Sequence, residues 1–162
     1  RALDVRVKGK AFDSAGRRGM KARTQTHRIA SIDLGTNTIL LLVAELREGG
    51  NFLVLDDCAQ ITRLGEGVDR TGLLNETAQH RTLAALKDFA ERCRALGVNE
   101  VVAVGTSALR DAANRDEFKR RLQKECGWQL RVLTGEEEAR YSFSAVWGGL
   151  DVNGQDVMGI DV

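Results

Sequence analysis

The 162 residues, 43% hydrophobic and 29% charged, are enough for an ordinary globular domain with its own core. No apolar run approaches the ~20 residues of a membrane helix, and three scattered cysteines (Cys58, Cys93, Cys126) argue against a disulfide framework, so a soluble protein of the reducing cytoplasm with no membrane partner is expected. Charge divides unevenly behind the formal +1: eight Lys/Arg stand against two Asp in residues 1–27, and sixteen against twenty-one acids in the remainder. An acidic body argues against general nucleic-acid binding, and any polyanion must be met at a local site with its own cations. His27 and His80 have no cysteine or histidine at ligand spacing, so no structural zinc site is expected.

Residues 1–27 mix Arg, Lys, Gly and Ser without period and are expected to be a disordered basic extension, with Met20 as a natural initiator; a polyanion-binding arm is the sharper alternative. Three strands follow, Arg28 to Leu34, Thr38 to Leu46 and Asn51 to Ala59, the last two joined by the hairpin turn Arg47-Glu48-Gly49-Gly50. Ile61 to Asp69, rich in glycine and charge, is predicted as a loop. Asn75 caps a helix whose Leu83, Leu86, Phe89, Ala90, Cys93 and Leu96 recur at helical spacing up to Gly97; this stripe is core, not a cofactor box. The apolar strand Glu100 to Val104 leads into Gly105-Thr106-Ser107-Ala108-Leu109-Arg110. Asn114 with Glu117 has the pattern of a capping box for a helix through Phe118 and Leu122 that closes at Gly127. Trp128 to Leu133 is the next strand, and Thr134 with Glu137 caps a helix through Phe143 and Trp147 to Gly148-Gly149. A polar link, residues 151–156, precedes a sixth strand over Val157 to Val162.

The order β-β-β-α-β-α-β-α describes an α/β, ribonuclease H-like domain over residues 28–150, a mixed five-stranded sheet flanked by helices. Residues 151–162 are then a linker and the first strand of a second, similar domain. In this fold Ser31-Ile32-Asp33-Leu34-Gly35-Thr36-Asn37-Thr38 is a buried strand ending in an aspartate, followed by a turn whose hydroxyls, amide and backbone N–H groups suit phosphate. Gly159-Ile160-Asp161-Val162 repeats the strand end, which suggests duplication with one phosphate-facing loop per copy. The Gly105 turn ends a parallel strand and should share a crevice with the Gly35 loop, so Thr106, Ser107 and Arg110 are candidates there. An arginine in that place can hold phosphate bidentately, a salt bridge to Asp111 or a neighbour being its plainer role. Arg63, in the glycine-rich loop, is a weaker candidate of the same kind. Of Glu136-Glu137-Glu138, Glu137 is explained by its cap. Glu138 lies about 100° further round the helix, and repulsion among three carboxylates can lift one toward the range of a general base.

Four motifs occurring in order, the Ser31–Thr38 octet, Arg63-Leu64-Gly65-Glu66-Gly67-Val68, Gly105 to Ala112 and Gly135-Glu136-Glu137-Glu138-Ala139-Arg140, together resemble the amino-terminal domain of the bacterial exopolyphosphatase and guanosine pentaphosphate phosphatase family. The resemblance implies a magnesium-assisted, cytoplasmic phosphohydrolase of the stringent response. It would release terminal phosphate from inorganic polyphosphate or the 5′ γ-phosphate from guanosine pentaphosphate. It further implies Glu138 as catalytic base, Asp33 with Gly35, Thr36 and Asn37 as the first phosphate site, Arg110 as a phosphate contact, and Asp161 with Asp33 at the metal. The second phosphate loop, expected after Asp161, is not in the sequence, so a chain of this length alone is expected to fold poorly or to bind without turnover. A homodimer of the full-length protein is one option; the residues themselves define no oligomeric state. The alternatives are a non-catalytic module binding polyphosphate or guanosine alarmones, a kinase of the same duplicated fold, and a ribonuclease H-type nuclease. The nuclease would need a second acid where Gly105-Thr106-Ser107 stands.

Overall fold

The computed structural model describes residues 26–48 and 51–149, with side chains up to residue 144. Most of the expected basic extension, the hairpin glycines Gly49 and Gly50, the link, the sixth strand and Asp161 lie outside the described residues. Five strands, β1 (Arg28–Leu34), β2 (Thr38–Leu46), β3 (Phe52–Ile61), β4 (Glu100–Gly105) and β5 (Leu130–Val132), form one sheet in the order β3-β2-β1-β4-β5. The β1–β2 and β2–β3 pairs are antiparallel, the β1–β4 and β4–β5 pairs parallel. This is the mixed sheet of a ribonuclease H-like domain.

Alternation along the strands builds the core. Ala30, Ile32 and Leu34 of β1 and Ile39, Leu41 and Val43 of β2 are fully buried on one face, because successive side chains of a strand point to opposite sides. Helix α2 (Glu76–Ala95) and helix α4 (Arg115–Cys126) cover that face with Leu83, Leu86, Phe89, Phe118 and Leu122, so the predicted stripe is core. The Asn75 side chain accepts from Thr77 N (2.8 Å) and Ala78 N (3.4 Å), as its position before the apolar period predicts. Cys93 is buried, Cys58 and Cys126 half-buried, and all three are free thiols. Burial pushes the Cys93 and Cys126 thiols up from their ordinary range.

At the sheet end remote from the Gly35 turn, the buried Glu45 carboxylate is held between Arg28 (3.0 Å) and Arg47 (2.7 Å). Arg28 also donates to the Leu96 carbonyl (2.6 Å), which ties the last turn of α2 to the sheet. A buried charge is tolerated only with such partners.

Five details differ from expectation. β3 continues to Ile61, because Thr38 and Ile39 at the start of β2 still offer it partners. β5 is only Leu130–Val132, the span that faces Ala103–Gly105. Short helices occupy the predicted glycine-rich loop and the Gly105 turn: α1 (Val68–Thr71), bounded by left-handed Gly67 and Gly72, and α3 (Ser107–Asp111). Asn114 does not cap α4 with its side chain; its Oδ1 accepts from Leu74 N (2.8 Å) and its Nδ2 donates to the Leu74 carbonyl (3.0 Å). The bond supplies the acceptor for the buried Leu74 N–H, while the Leu74 carbonyl is shared with Gln79 Nε2 (3.0 Å), and this two-point contact displaces the cap.

Candidate functional site

The carboxyl ends of β1, β4 and β5 lie side by side, with Leu34 opposite Gly105 and Gly105 opposite Val132. Backbone bonds extend the ladder one step, from Thr106 N to the Leu34 carbonyl (3.3 Å) and from Leu133 N to the Gly105 carbonyl (2.9 Å). Three chain reversals are thereby brought to one sheet edge, where open α/β sheets offer their ligand crevice. A hollow of about 630 Å³ opens there. Asp33, Gly35, Thr36, Asn37, Thr106, Ser107 and Glu138 of the expected site all line it. Asp33 and Glu138, far apart in sequence, face the same space.

The Gly35 turn is closed by Gly35 N donating to the Thr38 carbonyl (3.0 Å), and a Cβ on Gly35 would stand 2.9 Å from that oxygen. Thr36 Oγ1 and Ser107 Oγ are 2.8 Å apart and join the first and second loops. The Arg63 loop supports them from outside. Thr62 N and Arg63 N both donate to the Asn37 carbonyl (2.9 Å each), and Gly65 N donates to that of Thr36 (2.9 Å). Arg63 itself takes φ 49°, with its side chain exposed, outside the lining of the hollow and in no ion pair among the described residues. A Cβ on Gly65 would meet Thr36 Cγ2 at 2.5 Å and Ala108 Cβ at 2.9 Å. Gly65→Ala is therefore expected to destabilise the fold by about 1–3 kcal/mol as Thr36 and Ala108 are pushed aside; urea denaturation checks this.

Arg110 is half-buried and does not line the hollow. Its Nη1 donates to Glu138 Oε2 (3.0 Å) and to the Leu133 carbonyl (3.1 Å), so its ion pair is with Glu138 and not with Asp111. Helix α5 (Gly135–Gly149) presents Glu138, and the expected capping box is in place at its start: Glu137 N donates to Thr134 Oγ1 (3.2 Å) and Thr134 N to Glu137 Oε2 (3.0 Å). The Thr134 backbone N–H, then the Arg131 guanidinium, hold the Glu137 carboxyl below its ordinary range, in keeping with its place in the cap. A carboxyl depressed in the folded state contributes stability above its unfolded value of 4.5, and that contribution is lost as pH falls through the folded value. The stability difference between the native protein and Glu137→Gln, from urea midpoints, is expected to narrow below pH 4.5.

Gly135 and Ala139 also line the hollow and were not expected. The available signal was their place flanking Glu138 at a strand-to-helix junction. A second hollow of about 410 Å³ shares Asp33, Thr106 and Glu138 and runs under α5 toward Val102, Val104 and Tyr141.

Among the described residues, no group of three or more His, Cys, Asp or Glu could hold a metal. Magnesium needs less: oxygen ligands, of which one or two are carboxylates and the others water and phosphate. The Asp33 carboxylate, with hydroxyls of Thr36, Thr106 and Ser107 around the same hollow, fits that donor chemistry.

The sequence profile of the Ppx/GppA phosphatase family matches residues 42–162. The chain belongs to this family. It is 34% identical over 124 residues to exopolyphosphatase 1 of Mycobacterium tuberculosis, covering 75% of the chain and 36% of the relative. With exopolyphosphatase 2 of the same organism it shares 38% over 143 residues, covering 83% of the chain and 45% of the relative. The solved structure of the Aquifex aeolicus PPX-GPPA enzyme superposes with a TM-score of 0.72 at 36% identity, over 77% of this chain and 42% of that one. The chain thus spans less than half the length of these Ppx/GppA relatives. The family profile begins within β2, after the Asp33 turn, whereas the 83% of the chain matched by exopolyphosphatase 2 reaches across that turn.

Proposed function

We propose that this Ppx/GppA family member contributes the first phosphate site and the general base of an exopolyphosphatase, which removes the terminal phosphoryl group of inorganic polyphosphate. The same site would take the 5′ γ-phosphate of guanosine pentaphosphate, in the bacterial cytoplasm. The observation that carries this reading is the common hollow of Asp33, the Gly35–Asn37 turn, Thr106, Ser107 and Glu138. Phosphoryl transfer to water asks for positioned donors and a carboxylate that orients and deprotonates the nucleophile. Glu138 Oε2 is engaged by Arg110, while Oε1 takes no hydrogen bond from a described residue. In the proposed step Oε1 accepts a proton from water as the water oxygen bonds to the terminal phosphorus. The bond from that phosphorus to the bridging oxygen breaks, and its electron pair leaves with the shortened chain. The turn N–H groups and the hydroxyls hold the phosphoryl oxygens meanwhile.

Among the described residues no lysine or arginine lines the hollow, so a polyanion would meet two carboxylates there. Magnesium, held by Asp33, would supply the charge neutralisation that makes such a wall tolerable to polyphosphate. The decisive assay is phosphate release from long-chain polyphosphate by the full-length protein, with magnesium and with chelator. Magnesium-dependent release is expected; tight binding without release would support the non-catalytic module instead. A parallel assay with guanosine pentaphosphate measures the second substrate.

A further inference from the structure

Arg110 lies in the last turn of helix α3 with its guanidinium turned to Glu138, and it is not among the residues that line the hollow. One nitrogen, Nη1, carries two hydrogens, and two acceptors take them: Glu138 Oε2 at 3.0 Å and the Leu133 carbonyl at 3.1 Å. Leu133 is buried, and its own N–H is bonded to Gly105 in β4, so the carbonyl that anchors the arginine is fixed by the sheet. The backbone of Arg110 is held as well, its N–H on the Thr106 carbonyl (3.0 Å) and its carbonyl on Arg115 Nη1 (2.6 Å). A glutamate on the first turn of a helix has free rotation about three side-chain bonds. A charge-assisted bond to a fixed donor selects one orientation and leaves the opposite oxygen to the substrate side.

We infer that Arg110 is a positioning residue for the Glu138 carboxylate and not a ligand of the substrate phosphates. The inference rests on the proposed role of Glu138 as base. Its rival is direct phosphate contact through Nε or Nη2, the role the family resemblance implies.

The two roles separate in steady-state kinetics of the full-length protein with polyphosphate and magnesium. Loss of a positioning residue misdirects the base and lowers kcat, whereas loss of a phosphate ligand raises KM. Arg110→Gln is expected to lower kcat by about 10²-fold with KM little changed. Arg110→Lys, whose ammonium carries hydrogens for both acceptors, is expected to recover most of that loss, and it is the variant to rely on if Arg110→Gln does not fold. In a Glu138→Gln background, Arg110→Gln should have no further effect on kcat and none on the dissociation constant for polyphosphate measured by calorimetry. A tenfold or larger rise in KM, or in that dissociation constant, on replacing Arg110 overturns the inference while leaving the base intact. If Glu138→Gln itself keeps full turnover, the base assignment fails, and the inference with it.

Discussion

Glu138→Gln is expected to lower kcat for phosphate release by about 10²–10⁴-fold, the usual contribution of a positioned general base. Glutamine keeps the length of the side chain, and its amide oxygen can still accept from Arg110 Nη1, so the geometry of the site survives. What disappears is the proposed acceptor for the proton of water. The dissociation constant for polyphosphate should therefore change little, and calorimetry on the variant measures it without interference from turnover. Glu137→Gln is the control at the adjacent position. Its carboxylate is committed to the Thr134 cap and to Arg131, so its loss should be read in stability and not in kcat. Turnover by Glu138→Gln within about fivefold of the native rate would remove Glu138 from the mechanism.

Phe89→Ala is expected to destabilise the protein by about 3–5 kcal/mol, because Phe89 is fully buried in α2 at the centre of the core and its ring leaves a cavity the surrounding sheet cannot close. Domains of this size have a total stability of about 5–15 kcal/mol, so the variant should sit near its unfolding threshold, with the melting temperature lowered on the order of 10 °C. Glu91→Ala, at an exposed position of the same helix, should stay within about 0.5 kcal/mol of the native protein. The site would feel the core mutation too. Arg81 of α2 donates through Nε to the Thr62 carbonyl (2.5 Å), and the Thr62–Arg63 backbone in turn holds the Asn37 carbonyl. A loosened α2 should therefore weaken the proposed phosphate site before the chain unfolds, and phosphate titration of Phe89→Ala across rising urea measures that order.

The sequence by itself determined the strands β1 and β2, the apolar face of α2, the Asn75 cap, the Thr134–Glu137 box and the gathering of Asp33, Gly35 and Thr106 at one edge. Each of these rests on a period of two or 3.6 residues, on a bond between neighbours in the chain, or on the rule that parallel strands present ligands at their carboxyl ends. Only the tertiary structure decided what joins distant positions. Asn114 gave up its cap for Leu74, forty residues away; Arg110 was drawn to Glu138 across twenty-eight; and Gly65 had to lack a side chain because Thr36 and Ala108 close on it. The physical reason is that a local pattern states what a side chain can offer. Which of several partners takes the offer depends on which buried donor or acceptor would otherwise go unpaired, and that is settled only when the sheet and its helices are packed.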